Sequence, residues 1–238
     1  MITFVTSLVQ YCENRTYFTT LDYLTHFKPL ADSGIHFHIF LQTKLYDQYI
    51  EHIGQHDSIH VTTFEFEELP IYDECIGIPL PPNRNVIKDT NEFMILMNSK
   101  TEFVKRAIEN NVFHSTHFAW IDFGIHKIIK NDSTIPSLKN LIVQDSGLYM
   151  PVIHHPYGFD FLGICWRFCG GFFVGDIESI LQFHGLYESH FMNIVREHNI
   201  LPWEVNIWAH YEREGYFNPN VYFAEHNDSM LILPRKNI

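Results

Sequence analysis

The order of apolar and polar positions divides this chain into short runs of two kinds. Residues 2–10, Ile-Thr-Phe-Val-Thr-Ser-Leu-Val-Gln, are β-branched and apolar without a charge, which predicts a buried strand at the start. Over 17–32, Phe18, Leu21, Leu24 and Phe27 recur near helical spacing, with Asp22 early, Lys28 late, and Pro29 and Gly34 as stop signals, so a crossover helix follows. His36–Gln42 alternates as a second strand, 43–54 is weakly helical, and Ile59–Phe66 supplies a third strand. Between 67 and 90 the acidic Glu67-Glu68, prolines 70, 79, 81 and 82 and Gly77 predict a long irregular crossing.

Helical spacing returns over 91–110, where Phe93, Leu96, Met97, Phe103, Val104 and Ile108 share a face. It feeds a short strand, Phe118-Ala-Trp-Ile-Asp122, that stops at an acid and a glycine turn. Residues 126–138 predict a short helix and loop, and Leu141-Ile-Val-Gln another strand, while 151–163 carries no clear period. A strand-like stretch surrounds Gly170-Gly171, a helix is expected over 177–198 and another over 203–213, and Asn220–Glu225 with Met230-Leu-Ile-Leu reads as closing strand. Strands alternating with helices predict one α/β domain with a mixed, mostly parallel central sheet flanked by helices.

Composition narrows what such a domain does. With 46% hydrophobic and 18% charged residues in 238, the chain holds enough apolar material for a full core. A formal charge of -12 argues against binding nucleic acid through its backbone, yet leaves room for a local basic pocket holding one diphosphate. No apolar run reaches transmembrane length and no basic n-region precedes the first strand, so a cytoplasmic protein is expected. On that expectation the Asn14-Arg15-Thr16 sequon has no meaning. Cys12, Cys75, Cys165 and Cys169 include no Cys-x-x-Cys pair, and Cys165 and Cys169 read as small core residues. Among 16 histidines, His114-Ser-Thr-His117 and His154-His155 lack the partners of a tetrahedral zinc site.

In an open α/β sheet, ligands bind outside the carboxyl ends of the strands, which is where Asp122 falls. A hard divalent cation needs only one or two such carboxylates when substrate phosphates and water complete its shell. Spacing alone serves equally well for an Asp that caps its own turn. Gly170-Gly171 would let a ligand approach the backbone or would mark a β-bulge. Glu204 stands in the first turn of the 203–213 helix, where the dipole favours any carboxylate. Trp203 and Trp208 flank it, as core residues or as faces for a sugar ring.

The segments Met97-Asn-Ser-Lys100, Phe103-Val, Ala107-Ile and Phe118-Ala-Trp-Ile-Asp-Phe-Gly-Ile125 resemble the signature block of the WlaTC/HtrL family. The likeness extends to Thr6 and Arg15 near the first strand, to Gly170-Gly171, and to the closing Tyr222-Phe-Ala-Glu-His-Asn-Asp228. That family is similar to glycosyltransferases of surface-glycan assembly with the single-domain GT-A fold. The resemblance implies a nucleoside-diphosphate sugar as donor, a glycan or other hydroxyl acceptor, and a divalent Mn²⁺ or Mg²⁺ ion. Asp122-Phe-Gly124 would occupy the place of the family's Asp-x-Asp metal motif, lacking its second acid, so either His226 and Asp228 help Asp122 on the metal, the favoured reading, or the enzyme works without a metal. By the same resemblance Lys100 would meet the diphosphate, Thr6, Ser7 and Arg15 the nucleotide, Gly170 and Gly171 the sugar or acceptor, and Glu204 would be the general base. Residues 1–125 would then form the nucleotide-sugar half and 126–238 the acceptor half. The rival from another class is a non-catalytic module that binds nucleotide or glycan without turnover, and a histidine-based metallohydrolase is a third reading.

Overall fold

A computed structural model describes residues 1–10, 19–53, 56–155 and 160–234. The expected run of strand, helix, strand, helix, strand opens the fold: β1 (Ile2–Leu8), α1 (Thr20–Ala31), β2 (Phe37–Gln42), α2 (Thr43–Ile53) and β3 (Ile59–Phe64). After two short turns and α3 (Tyr72–Cys75) come α4 (Asn91–Asn98), α5 (Lys100–Asn110) and β4 (His117–Ile121). The remainder is α6 (Thr134–Lys139), β5 (Leu148–Val152), β6 (Phe172–Asp176), α7 (Ile177–Leu186), α8 (Met192–His198), α9 (Glu204–Arg213) and β7 (Asn220–Phe223). The strands form one seven-stranded sheet in the order β3-β2-β1-β4-β6-β5-β7. β1, β2, β3 and β4 run parallel, and β6 is antiparallel to both of its neighbours. This is the fold class the sequence predicts, a single α/β domain with a mixed, mostly parallel sheet.

Helices cover both faces, which is why the central strands are apolar on both sides. On one face Val5, Phe40, Phe118, Trp120 and Phe173 pack with residues of α4, α5, α7 and α9. On the other, Phe4, Leu8, Ile39, Ala119 and Ile121 pack with α1, α2 and α6. The two-residue period of a strand thus puts Asp122, the residue after β4, on the same side as Phe118 and Trp120. Parallel β1 and β4 deliver their carboxyl ends to one edge of the sheet.

Several boundaries differ from the sequence expectation. The 91–110 helix is broken at Ser99, where the Asn98 side chain donates to Met94 O at 2.9 Å and Ser99 Oγ to Ile95 O at 2.8 Å. Short polar side chains compete there with the backbone ladder. The 177–198 helix holds a π turn over Tyr187–Phe191 between α7 and α8. No strand forms at Leu141–Gln144; Ile142 lies 74% exposed, and the strand is β5 instead, with Met150 and Val152 fully buried. The apolar Met230-Leu231 pair belongs to a 3₁₀ turn over Asp228–Leu231, and it satisfies the core without joining the sheet.

Phe103 of α5 is fully buried against Phe40, Phe64 and Trp120, with ring centroids at 5.1, 5.1 and 6.1 Å. Removing a buried aromatic ring costs about 3–5 kcal/mol. Phe103→Ala is therefore expected to lower the stability read from urea unfolding by that amount with an unchanged m-value; a loss below about 1 kcal/mol would contradict the packing described.

Candidate functional site

Asn98, the last residue of α4, donates from its side chain to Pro202 O at 2.9 Å and so ties the start of α9 to the start of α5. That link sets the first residue of each helix, Lys100 and Glu204, side by side. Lys100 Nζ donates to Glu204 Oε1 at 2.8 Å and to the Gly170 carbonyl at 2.8 Å, and lies 3.0 Å from Asp122 Oδ1. The ammonium is fully enclosed. Burial by itself pulls the Lys100 pKa down, but the adjacent Asp122 and Glu204 carboxylates outweigh it and the net shift is upward.

Asp122 is fixed from three sides. Its Oδ1 also accepts the indole N–H of Trp120 at 2.7 Å, and its backbone N–H donates to Gly171 O at 3.0 Å, continuing the β4–β6 ladder by one residue. Its side chain remains 35% exposed and faces a cavity of 480 Å³. The cavity lies at the carboxyl ends of β1 and β4. Ser7 through Gln10 form one wall, Asp122 through Ile125 another, and Thr19, Thr20 and Tyr23 at the head of α1 a third; Gly171, His226 and Met230 close it. Two cationic side chains line it as well. Lys88 stands over the Phe93 ring at 4.7 Å, and Lys127 donates to Tyr23 OH at 2.9 Å. His126, between Gly124 and this lysine, is stacked on His26; burial, then His26 and Lys127, lowers its pKa to about 4.

The expected site residues are thus only partly gathered. Asp122, Gly171 and His226 line the cavity, and Gly170 and Lys100 lie directly behind Asp122. Lys100 does not face the cavity, since its ammonium is directed to three protein oxygens. Glu204 is buried and turned to Lys100 instead of outward. Thr6 is fully buried on the α1 side of the sheet and absent from the cavity wall; its neighbour Ser7 takes that place, because alternate strand residues point to opposite faces. Trp203 and Trp208 are core residues, at 3% and 0% exposure. Arg15 lies outside the described residues.

The implied metal set does not assemble. Asp228 Oδ2 accepts from Asn131 N at 3.1 Å and Thr134 Oγ1 at 3.0 Å, which turns that carboxylate to the loop before α6 and away from the cavity. Among the described residues no group of three His, Cys, Asp or Glu side chains is placed to hold a metal ion. Asp122 Oδ1 is already engaged by an ammonium and an indole. A resident divalent cation does not fit this donor set.

Sequence reasoning missed Lys88 and Lys127. A signal existed for Lys127, because a tight turn after Asp122 brings it back beside Gly124, whose carbonyl accepts from Lys127 N at 3.2 Å. None existed for Lys88, which ends an irregular loop.

The two glycines differ in what they permit. A Cβ on Gly170 would collide with Glu204 Oε1 and approach Val205 Cγ1 to 3.0 Å, whereas a Cβ on Gly171 would meet Ile125 Cδ1 at 3.3 Å and Asp122 Oδ2 at 3.6 Å. Gly170→Ala is therefore expected to push Glu204 off Lys100 and cost about 1–3 kcal/mol, more than Gly171→Ala. Thermal denaturation of the pair checks the order; equal melting temperatures would contradict it.

The chain matches the model of a family described as a bacterial protein of unknown function (HtrL_YibB) over residues 80–204. No curated protein matches the sequence. Among solved structures it is similar to Rv0371C of Mycobacterium tuberculosis H37Rv in complex with manganese, at 7% identity and a TM-score of 0.42, covering 94% of this chain and 86% of that one. It is also similar to mouse xyloside xylosyltransferase 1 in its apo form, at 8% identity and a TM-score of 0.45, covering 94% and 84%. Scores this low carry no chemistry from those proteins to this one. The family match takes in more than half of the chain, with Lys100, Asp122, Gly170, Gly171 and Glu204 all inside it, and the chain belongs to the HtrL_YibB family.

Proposed function

We propose that this protein is a glycosyltransferase that moves a sugar from a nucleoside-diphosphate donor to a hydroxyl of a glycan or other acceptor. The observation that carries the reading is the charge of the cavity. In a chain of formal charge -12, its wall holds Lys127 and Lys88, the latter half-exposed with Asp89 at 3.6 Å behind it, and the one acid among its described lining residues, Asp122, is already paired with Lys100. Such a wall attracts a small anion despite the overall charge. Its 480 Å³ is in the range of small-ligand sites, about 300–1,000 Å³, and it lies where an open α/β sheet binds its ligands.

In this reading the two lysines meet the diphosphate, and Ser7, Gln10, Thr19 and Thr20 offer hydrogen bonds to ribose and base. During transfer the acceptor oxygen bonds to the anomeric carbon as the bond from that carbon to the diphosphate breaks. The electron pair leaves with the diphosphate, whose charge Lys88 and Lys127 offset. The acceptor's hydroxyl proton passes to a base, and Asp122 is the carboxylate that reaches the cavity. Glu204, the base implied by the family likeness, becomes a positioning residue, because it is buried behind Asp122 and absent from the cavity wall, whereas Asp122 keeps its outer oxygen on the cavity side. Residues 1–125 supply most of the wall as the nucleotide-sugar half, and Gly171, His226 and Met230 of the other half face the acceptor side. No helix of the described residues is long and apolar enough to cross a membrane.

Incubation with a panel of nucleotide sugars and glycan acceptors, read as release of the nucleoside diphosphate, tests the reading. At least one donor is expected to turn over, and Asp122→Asn to slow it by about 100-fold or more. A thermal shift with nucleotides but no turnover of any donor would favour the non-catalytic module; no shift and no turnover would sink both.

A further inference from the structure

Three oxygens from three separate segments converge on the Lys100 nitrogen: Gly170 O and Glu204 Oε1 at 2.8 Å and Asp122 Oδ1 at 3.0 Å. Two carboxylates and a carbonyl around one positive centre are the donors that a hard divalent cation takes in proteins. An ammonium has three hydrogens, one for each of these oxygens. The cage is closed by the Trp120 ring, 5.7 Å from the nitrogen, and by the first turn of α9. We propose that Lys100 is the resident cation of this site, filling the oxygen cage that would otherwise recruit a divalent metal, so that a nucleoside diphosphate binds metal-free on Lys88 and Lys127. The nucleotide half of this proposal rests on the function proposed above; the cation half does not.

Gly124 supports it independently. A Cβ built there would lie 2.9 Å from Tyr23 Cε1, so a second acid two residues after Asp122 has no room unless Tyr23 moves. Tyr23 is itself held by Lys127, through the bond to its hydroxyl and a cation–ring contact at 4.4 Å. The position that would complete a metal pair is thus taken by an aromatic ring, which the Lys127 ammonium holds in place. A divalent ion on the outer oxygen of Asp122 would also stand a few ångströms from the buried Lys100 charge, where like charges repel strongly.

Mn²⁺ titration of the EDTA-stripped protein, with free Mn²⁺ read by electron paramagnetic resonance, decides the cation half. Wild type is expected to show no saturable binding that Asp122→Asn removes; one equivalent of Mn²⁺ bound in wild type and lost in Asp122→Asn overturns the proposal. Lys100→Met leaves the cage open, and in the folded variant Mn²⁺ is expected to bind and to raise the melting temperature, as it does not in wild type. A folded Lys100→Met that takes up no Mn²⁺ overturns the identification of the cage as a cation site. Should that variant not fold, the wild-type titration still decides.

For the nucleotide half, UDP, GDP, ADP and CDP are titrated calorimetrically into wild type in EDTA and in Mn²⁺. Equal affinity in the two media is the expected result, and a gain of about tenfold or more with Mn²⁺ overturns metal-free binding. If none of the four binds in either medium, the nucleotide reading falls, while the Mn²⁺ titration still tests Lys100 as the resident cation.

Discussion

A single buried ammonium holds the candidate site together. Lys100 joins the start of α5 to the end of β4, the glycine turn before β6 and the start of α9. Removing one partner of such an enclosed pair leaves an uncompensated charge and costs about 3–5 kcal/mol. The surrounding features follow from that constraint. Asn98 ties the two helix starts together, Gly170 lacks the Cβ that would strike Glu204, and Trp120 adds its indole N–H to the carboxylate oxygen that faces Lys100. Asp122 reaches the cavity as a carboxylate whose direction is set from behind.

This arrangement separates two tasks that the sequence assigns to one group of residues. Lys100 and Glu204 fix geometry from inside the protein, while Lys88, Lys127 and Asp122 present charge to the cavity. Charge inside the fold is balanced at short range, and at the wall Lys88 stands beside Asp89 while Lys127 is held on Tyr23.

The fold was legible wherever one period persisted. β1, β2 and β4 follow from uncharged runs, because burial on both faces leaves little choice of residue, and the helices and the half-buried edge strand β3 follow from their spacing. The second half was harder: Leu141–Gln144 has a strand's composition but stays at the surface, and Met230-Leu231 buries itself from a 3₁₀ turn. Hydrophobicity records that a segment is buried, not which partner it pairs with. The placement of Asp122 at a strand end, beside a cavity, was legible because it is local, and Gly170 lies directly behind it. Lys100, Thr6 and Asp228 point elsewhere than expected, because the direction of a side chain depends on contacts from segments up to about a hundred residues away, such as Glu204 with Lys100 and Asn131 with Asp228. The family likeness puts Lys100 on the phosphates, whereas a carbonyl and two carboxylates hold its ammonium inside the fold.

Lys100 holding Asp122 at the wall of a cavity proposed to take a nucleoside diphosphate is the relation on which the proposed function turns. A crystal structure with a nucleoside diphosphate soaked in tests it most directly. The two phosphates are expected within hydrogen-bonding reach of Lys88 and Lys127, with Lys100 still on Asp122, Glu204 and Gly170. A nucleotide bound elsewhere, or Lys100 swung out of its cage onto the phosphates, would contradict it.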